Sequence, residues 1–244
     1  MESNAIVCPA EAVGGLLLSH LSSGRLKAFD LTRTLEEGMP SWPTQARYGS
    51  VIYESYEWGD AALHSGVTMS EHTGTHIDAP AHFVKGGLTI DKLPVTQIIG
   101  RGVNIDATAV SPRGLFQLSS LRAFEAENGE IRQGDIVMFR FGWDDKYGLR
   151  GGAAEFLRDW PGLDKEAASY LKDKEAAAVG CDALSIDAFG NTGDLCHHIL
   201  LEGGIPIIEN ICNLKDLPTL SLVIGLPNKF KDGSGSPIRL VAFA

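Results

Sequence analysis

Residues 71–83 read E-H-T-G-T-H-I-D-A-P-A-H-F. Three imidazoles, His72, His76 and His82, and one carboxylate, Asp78, all stand at even-numbered positions. In an extended chain, side chains two apart share a face, so the four would project together. In a helix the ~100° step per residue would carry Asp78 off the face of His72. Thr73, Gly74, Thr75 and Pro80 disfavour a helix as well. The segment is therefore not the helical H-E-x-x-H of zinc peptidases. Imidazole and carboxylate donors together suit zinc, manganese or iron at about 2.0–2.2 Å. Burying four ionisable groups without a cation is costly, so the cluster reads as a metal site.

Spacing adds a bend. His76 and Asp78 stand about 6.6 Å apart along a strand rising ~3.3 Å per residue, within reach of one ion. By the same rise His72 and His76 would be about 13 Å apart on a straight chain. The chain must kink between them, and Gly74 is the residue suited to it. A second bend near Pro80 has to bring His82 back. A further donor pair stands in C-H-H-I-L-L-E-G-G-I-P-I-I-E-N, residues 196–210. Taken alone, His197, His198 and Glu209 also fit capping, packing or surface roles. Beside the first cluster, a distant His and Glu can complete a metal shell, because ligands from separate segments make a site rigid. His198 competes with His197 for that position.

These residues need elements to hold them. A short leading helix fits 11–24, ending at Gly24. Strands fit 28–32, 51–58, 66–71, 102–107, 134–141, 183–186, 205–209, 220–224 and 238–243. A helix through Leu118, Leu121 and Phe124 stops at Asn128-Gly129. Asp164 caps another that runs to Val179, with Gly180 as its stop. Strands outnumber helices and alternate with only some of them, which predicts a mixed α/β sheet.

The 244 residues are 44% hydrophobic and 21% charged, the composition of a globular chain able to bury one large core. The net charge of −10 argues against nucleic acid and against an anionic membrane surface as partners. The N-terminal apolar run, Leu16 to Leu18, is too short for a signal or membrane segment. Cys8, Cys181, Cys196 and Cys212 show no C-x-x-C spacing, and free thiols in a reducing, cytoplasmic setting are expected. A disulfide stays open, since spacing does not give geometry.

The segment His72 to Phe83 resembles H-x-G-T-H-x-D-x-P-x-H, the signature of the metal-dependent cyclase hydrolase family. That family includes bacterial kynurenine formamidase (arylformamidase) and isatin hydrolase. Other pieces agree. Gly38 to Pro43 is similar to the family's early P-x-W-P, Gly134 to Val137 to its buried strand, and Ser185-Ile186-Asp187 to its S-x-D strand end. His197 and Glu209 have its His-to-Glu spacing, and Gly235 to Arg239 resembles its last strand. After Trp42-Pro43 stands Thr44-Gln45, where the formamidases usually have Gly-Asp. Leu21 to Leu26 and Phe124 to Ile131 look more like isatin hydrolase, whereas the His197/Glu209 pair is formamidase-like.

The resemblance implies one α/β domain over 1–244, with a mixed, barrel-like sheet flanked by helices and an N-terminal helical extension, 1–26. It implies His72, His76 and Asp78 as metal ligands, with Asp78 bridging to a second ion held by His197 and Glu209. The ions would be zinc or manganese, one or two per subunit. His82 becomes the general acid/base, and Trp42 a substrate contact; with Phe83 it would wall a flat substrate. The implied reaction is hydrolysis of the C–N bond of a small aromatic amide, N-formylkynurenine first, in tryptophan catabolism. Isatin or another cyclic amide or lactone is the alternative. A homodimer or higher homo-oligomer is implied too. A non-enzymatic metal-binding protein is the rival from another class, and His82, which a purely structural site does not need, speaks against it. Thr73 and Thr75 should face away from the donors, Glu71 should be an exposed charge, with hydrogen-bonded support of a ligand as its alternative, and His20 and His64 should lie at the surface or in loops.

Overall fold

The computed structural model describes residues 10–244; residues 1–9, including Cys8, lie outside them. Helix α1 spans Ala10–Ser22 and leads into strand β1, Ala28–Asp30. Strands β2 (Gly49–Glu54) and β3 (His64–Thr68) follow, then β4 (His76–Asp78) and β5 (Ile99–Asp106). Next come β6 (Leu115–Phe116), α2 (Leu118–Asn128), β7 (Ile136–Arg140), β8 (Gly162–Leu163) and α3 (Lys165–Asp173). The chain ends with β9 (Ala178–Cys181), α4 (Leu195–Glu202), β10 (Ile207–Glu209), β11 (Leu220–Pro227) and β12 (Gly235–Phe243).

The main sheet runs β1-β12-β11-β5-β7-β9-β10-β4, and β4 pairs again with β12. That last pairing closes the barrel and leaves β1 outside on the far half of β12. Strands β5, β7, β9 and β10 are parallel neighbours. The chain crosses between them through α2, α3 and α4, as parallel strands require. The remaining ladders are antiparallel. The expected mixed, barrel-like sheet is therefore observed. Strands β2 and β3 form a separate hairpin that pairs with no barrel strand.

Alternation along β7 sorts the core. Ile136 and Met138 join Ile77, Ile208, Val223 and Leu240 in one cluster. Val137 and Phe139 join Leu121, Leu171 and Leu200 from the three helices in the other. A strand buried on both faces needs an unbroken apolar run, and I-V-M-F supplies it.

Several expectations fail here. The helix capped by Asp164, whose carboxylate accepts from Ala167 N at 2.6 Å, stops at Asp173 instead of Val179. Glu175 adopts a positive φ of 55°, and Ala178–Cys181 becomes β9. The alanines there favour helix, but the gap between β7 and β10 is filled by a strand, and tertiary packing overrides propensity. Gly180 is a packing glycine, not a helix stop, because a Cβ would lie 2.8 Å from Ile208 O. Residues 183–186 are not a strand either; they open a long loop between β9 and α4. Strands 51–58 and 66–71 are also shifted, ending at Glu54 and Thr68. Helix α2 stops at Asn128 with Gly129 as its cap, as expected.

Candidate metal centre

Only His76 and Asp78 of the first cluster sit on a strand, the short β4. His72 lies in the turn before it, and His82 ends the single 3-10 turn Pro80–His82 after it. Both expected bends are present. Gly74 has φ +65°, a conformation that glycine adopts without strain. The rings of His72 and His76 end up 5.3 Å apart between centroids. The turn at Pro80 returns His82 onto His72, with ring centroids 4.0 Å apart.

Register brings in the second half-site. In the β10–β4 ladder Glu209 stands opposite His76 and Ile207 opposite Asp78. Helix α4 then lowers His197 onto the same spot. His72 Nδ1 approaches Asp78 Oδ1 at 2.6 Å, and His76 Nε2 lies 3.5 Å from that oxygen. His197 Nε2 lies 3.5 Å from Asp78 Oδ2 and 3.2 Å from Glu209 Oε1. Glu209 Oε2 is 3.5 Å from His76 Nε2. The structure thus gathers all five expected donors, with Asp78 turning one oxygen to each side.

His197 and His198, adjacent in sequence, part company. His197 is buried in the cluster, whereas the His198 side chain is 45% exposed beside Glu202. His82, Trp42 and Phe83 line the same cavity, of about 110 Å³. Phe83 packs on the His197 ring at 4.8 Å, and Trp42 meets Trp160 edge-on at 6.0 Å. A larger groove, about 910 Å³, lies elsewhere around Asn104, Arg140 and Leu217. Its lining holds no imidazole, so the chemistry belongs to the smaller space.

The donors fit a cation. His76 Nδ1 bonds Gly74 O at 2.8 Å and His197 Nδ1 bonds Asp187 Oδ2 at 2.7 Å. Each ring is thereby fixed with Nε2 toward the carboxylates, the usual arrangement behind a metal-binding histidine. Burial works against a charged His197, yet Asp187, Asp78 and Glu209 outweigh it and raise its pKa well above the ordinary value. Burial likewise opposes the Asp78 carboxylate, but His197 and His72 hold it well below the usual range. His72 is raised: burial opposes its charge, and the bond to Asp78 prevails. His82 moves the other way, pushed down to about 4 chiefly by burial. Such an excess of buried negative charge calls for positive charge, and a divalent ion supplies it with this N/O set.

Three supports escaped sequence reasoning. Asp187 also accepts from the backbone N of Cys196 and His197 at 3.0 and 3.1 Å, tying α4 to the loop after β9; the S-x-D resemblance was the one signal for it. Ser234 Oγ sits 3.0 Å from His72 Nε2. Glu71, expected to be an exposed charge, instead accepts from Ser234 N and Oγ at 2.8 and 2.7 Å. A partner 163 residues away is invisible in a local pattern. Thr73 and Thr75 do face away: Thr73 bonds Ser70 O, and Thr75 bonds Asn210 O. His64 is exposed and His20 sits in the last turn of α1. Cys181, Cys196 and Cys212 are buried free thiols.

Known proteins resemble this chain in sequence and fold. The chain is 29% identical to a kynurenine formamidase of Bacillus cereus over 87% of its own length and 95% of that protein's. It is 33% identical to an isatin hydrolase of Roseibium aggregatum, covering 72% of this chain and 73% of the other. A crystal structure of an isatin hydrolase bound to the product analogue thioisatinate superposes with a TM-score of 0.88 at 28% identity, covering 97% and 99% of the two chains. The Cyclase family model matches residues 29–188, from β1 through the metal-centre strand to the Asp187 loop. Sequence and barrel agree, and the chain belongs to the Cyclase family.

Proposed function

We propose that this protein is a metal-dependent hydrolase that cleaves the C–N bond of a small aromatic amide, an aryl formamide such as N-formylkynurenine first. A cyclic amide or lactone of the isatin kind is the second substrate class, favoured by the full-length likeness to isatin hydrolase. The observation that carries the reading is the convergence of His76, His197, Asp78 and Glu209 beside His82 in an aromatic-walled cavity. His76, Asp78 and Glu209 place donor atoms within 4.8 Å of one another, His72, Asp78 and His82 do the same, and His197 Nε2 lies 3.5 Å from Asp78 and 3.2 Å from Glu209. That clustering supports two ions sharing Asp78, zinc or manganese, which both accept this ligand chemistry.

When bound, such an ion supplies Lewis acidity toward the scissile carbonyl and lowers the pKa of the attacking water. The chain's own residues do the rest. Trp42 and Phe83 flank the aryl group. The water oxygen bonds to the carbonyl carbon, and His82 Nδ1 or Nε2 takes the released proton. His82 then delivers it to the nitrogen as the C–N bond breaks, the role suited to an imidazole free of a carboxylate partner.

The exposed Val51, Tyr53, Tyr56, Trp58 and Leu63 on and beside the β2–β3 hairpin support a homodimer or higher oligomer. Among the described residues no helix is long and apolar enough to cross a membrane. Three free thiols fit a reducing cytoplasm.

The test is metal analysis of the purified protein, then assays of formamide, lactam and lactone substrates with and without chelator. Stoichiometric divalent metal and chelator-sensitive turnover are expected; absence of either defeats the reading. His82→Ala should retain its metal and lose about 10²–10⁴-fold in kcat. Wild-type turnover by that variant on every substrate would remove His82 from the mechanism.

A further inference from the structure

The metal cavity does not end at the imidazoles. It shares Trp42, Leu184, Ser185 and Asp194 with an adjoining pocket of about 330 Å³. The first space, about 110 Å³, admits the scissile amide and the near edge of the aryl ring, between Trp42 and Phe83. The second has the size for an aryl ring and is walled by Leu157, Trp160 and Phe189. Trp160 and Phe189 meet edge-on at 4.8 Å, so the aromatic wall runs on from Trp42.

The charges around these two spaces are one-sided. No Lys or Arg stands among their lining residues. The nearby Arg113 stacks on Phe189 at 4.9 Å and is bound to Asp159 at 2.5 Å. Beyond the five expected metal donors, the lining carboxylates are Asp187 and Asp194. Both Asp187 oxygens are taken, by Asn191, Cys196 and His197. Asp194 is different. It precedes α4 with φ +43°, and its side chain makes no capping bond. Its carboxylate reaches within 4.8 Å of the donor atoms of Asp187 and His197, at the junction of the carbonyl space and the aryl pocket.

We propose that Asp194 sets the charge selectivity of the site. It admits aryl amides that carry an ammonium group or no charge beside the scissile bond, and it turns away those carrying a carboxylate there. The proposal rests on the aryl-amide reading above. An ortho carboxylate would face Asp194 in a partly desolvated space whose lining offers no Lys or Arg to answer it, a repulsion that discriminates as effectively as an added contact. Isatin, which is uncharged, belongs to the admitted class, as does N-formylkynurenine, whose side-chain carboxylate is balanced by the ammonium on the same carbon. N-formylanthranilate does not.

The test compares kcat/KM of the metal-loaded protein for formanilide, N-formylkynurenamine and N-formylanthranilate. Wild type should handle N-formylanthranilate at least about tenfold less well than formanilide, through KM, and N-formylkynurenamine at least as well. Asp194→Asn suits the positive φ. It should bring the ratio of N-formylanthranilate to formanilide to within about twofold of unity, while Asp194→Glu should keep the discrimination. Should the Asn variant not fold, Asp194→Ser is read by the same ratio. Equal use of the two substrates by wild type overturns the proposal. So does an unchanged ratio in a variant with wild-type metal content. If wild type hydrolyses none of the three, the aryl-amide reading itself falls and the proposal falls with it.

Discussion

Asp187 bonds the Nδ1 side of His197 while the opposite nitrogen faces Asp78 and Glu209. Removing its charge should loosen the ring without emptying the site of donors. Asp187→Asn is therefore expected to fold and to bind its metal about 10–100-fold more weakly, measured by competition with a chromogenic chelator. That the side chains of 72–82 converge was readable, because β-parity at His76 and Asp78, a glycine and a proline constrain a short segment. The choice between His197 and His198 was not readable, since it depends on which side of α4 meets the barrel. A second residue-scale prediction concerns Asp182, which accepts from Phe141 N and Trp143 N at 2.8 and 3.0 Å. Burial above all, with the like charge of Asp144, pushes its carboxyl up to about 7. The unfolded value is about 3.9, so the folded chain holds a proton that the unfolded chain has lost between those limits. The stability this confers is complete below pH ~4 and is lost as pH rises through ~7. Asp144→Asn removes the like charge and offers an amide donor. Its stability at pH 8 should exceed wild type by about 1 kcal/mol, with no such gain at pH 5, in urea melts at both. Parallel losses in the two proteins would show that Asp144 is not the coupled group.

At the scale of elements, the site depends on where β12 closes the barrel on β4. Gly235 stands opposite Asp78 in that ladder. A Cβ there would come within 2.5 Å of His72 Cε1 and 2.8 Å of Ile77 O, and the second atom, being backbone, cannot swing aside. Gly235→Ala should cost about 1–3 kcal/mol of stability in urea melts and also displace His72, lowering metal affinity. Wild-type values of both would mean that the closure has slack. Sequence periodicity located β5, β7 and β10–β12 because their apolar runs are long or strictly patterned. It overran α3 because the alanines before Val179 favour helix locally, and only the neighbours β7 and β10 make them a strand. It set 183–186 in a strand because Ile186 and Leu184 are apolar. They are buried under the aryl pocket and in the outer core instead, on a loop fixed by the bond from Ile186 N to Glu209. The link from His72 through Ser234 to Glu71 has the same origin: it exists only once the last strand closes on the fourth.

The whole molecule presents one feature that the barrel does not explain. The β2–β3 hairpin stands apart from the main sheet. Val51, Tyr53, Tyr56, Trp58 and Leu63 on and beside it are each more than 60% exposed. Scattered apolar residues need no explanation, but five large exposed ones within Val51 to Leu63, on and beside a two-stranded ribbon, do, because such a ribbon has little stability of its own. A second copy of the chain is the occupant that the proposed oligomer supplies. A twofold interface would bring the same patch from each subunit and bury both. The protein should sediment at twice its chain mass or more at micromolar concentration. Tyr53→Glu combined with Trp58→Glu should shift it to the monomer, since neither substitution touches a buried core residue. The hairpin is joined to the β4 turn through residues 69–75, so loosening it should reach the site. The monomeric variant is therefore expected to turn over more slowly than wild type and to recover at higher protein concentration if the interface is weakened, not abolished. A variant that remains dimeric, or a wild type that sediments as a monomer, would assign the patch to something other than self-association.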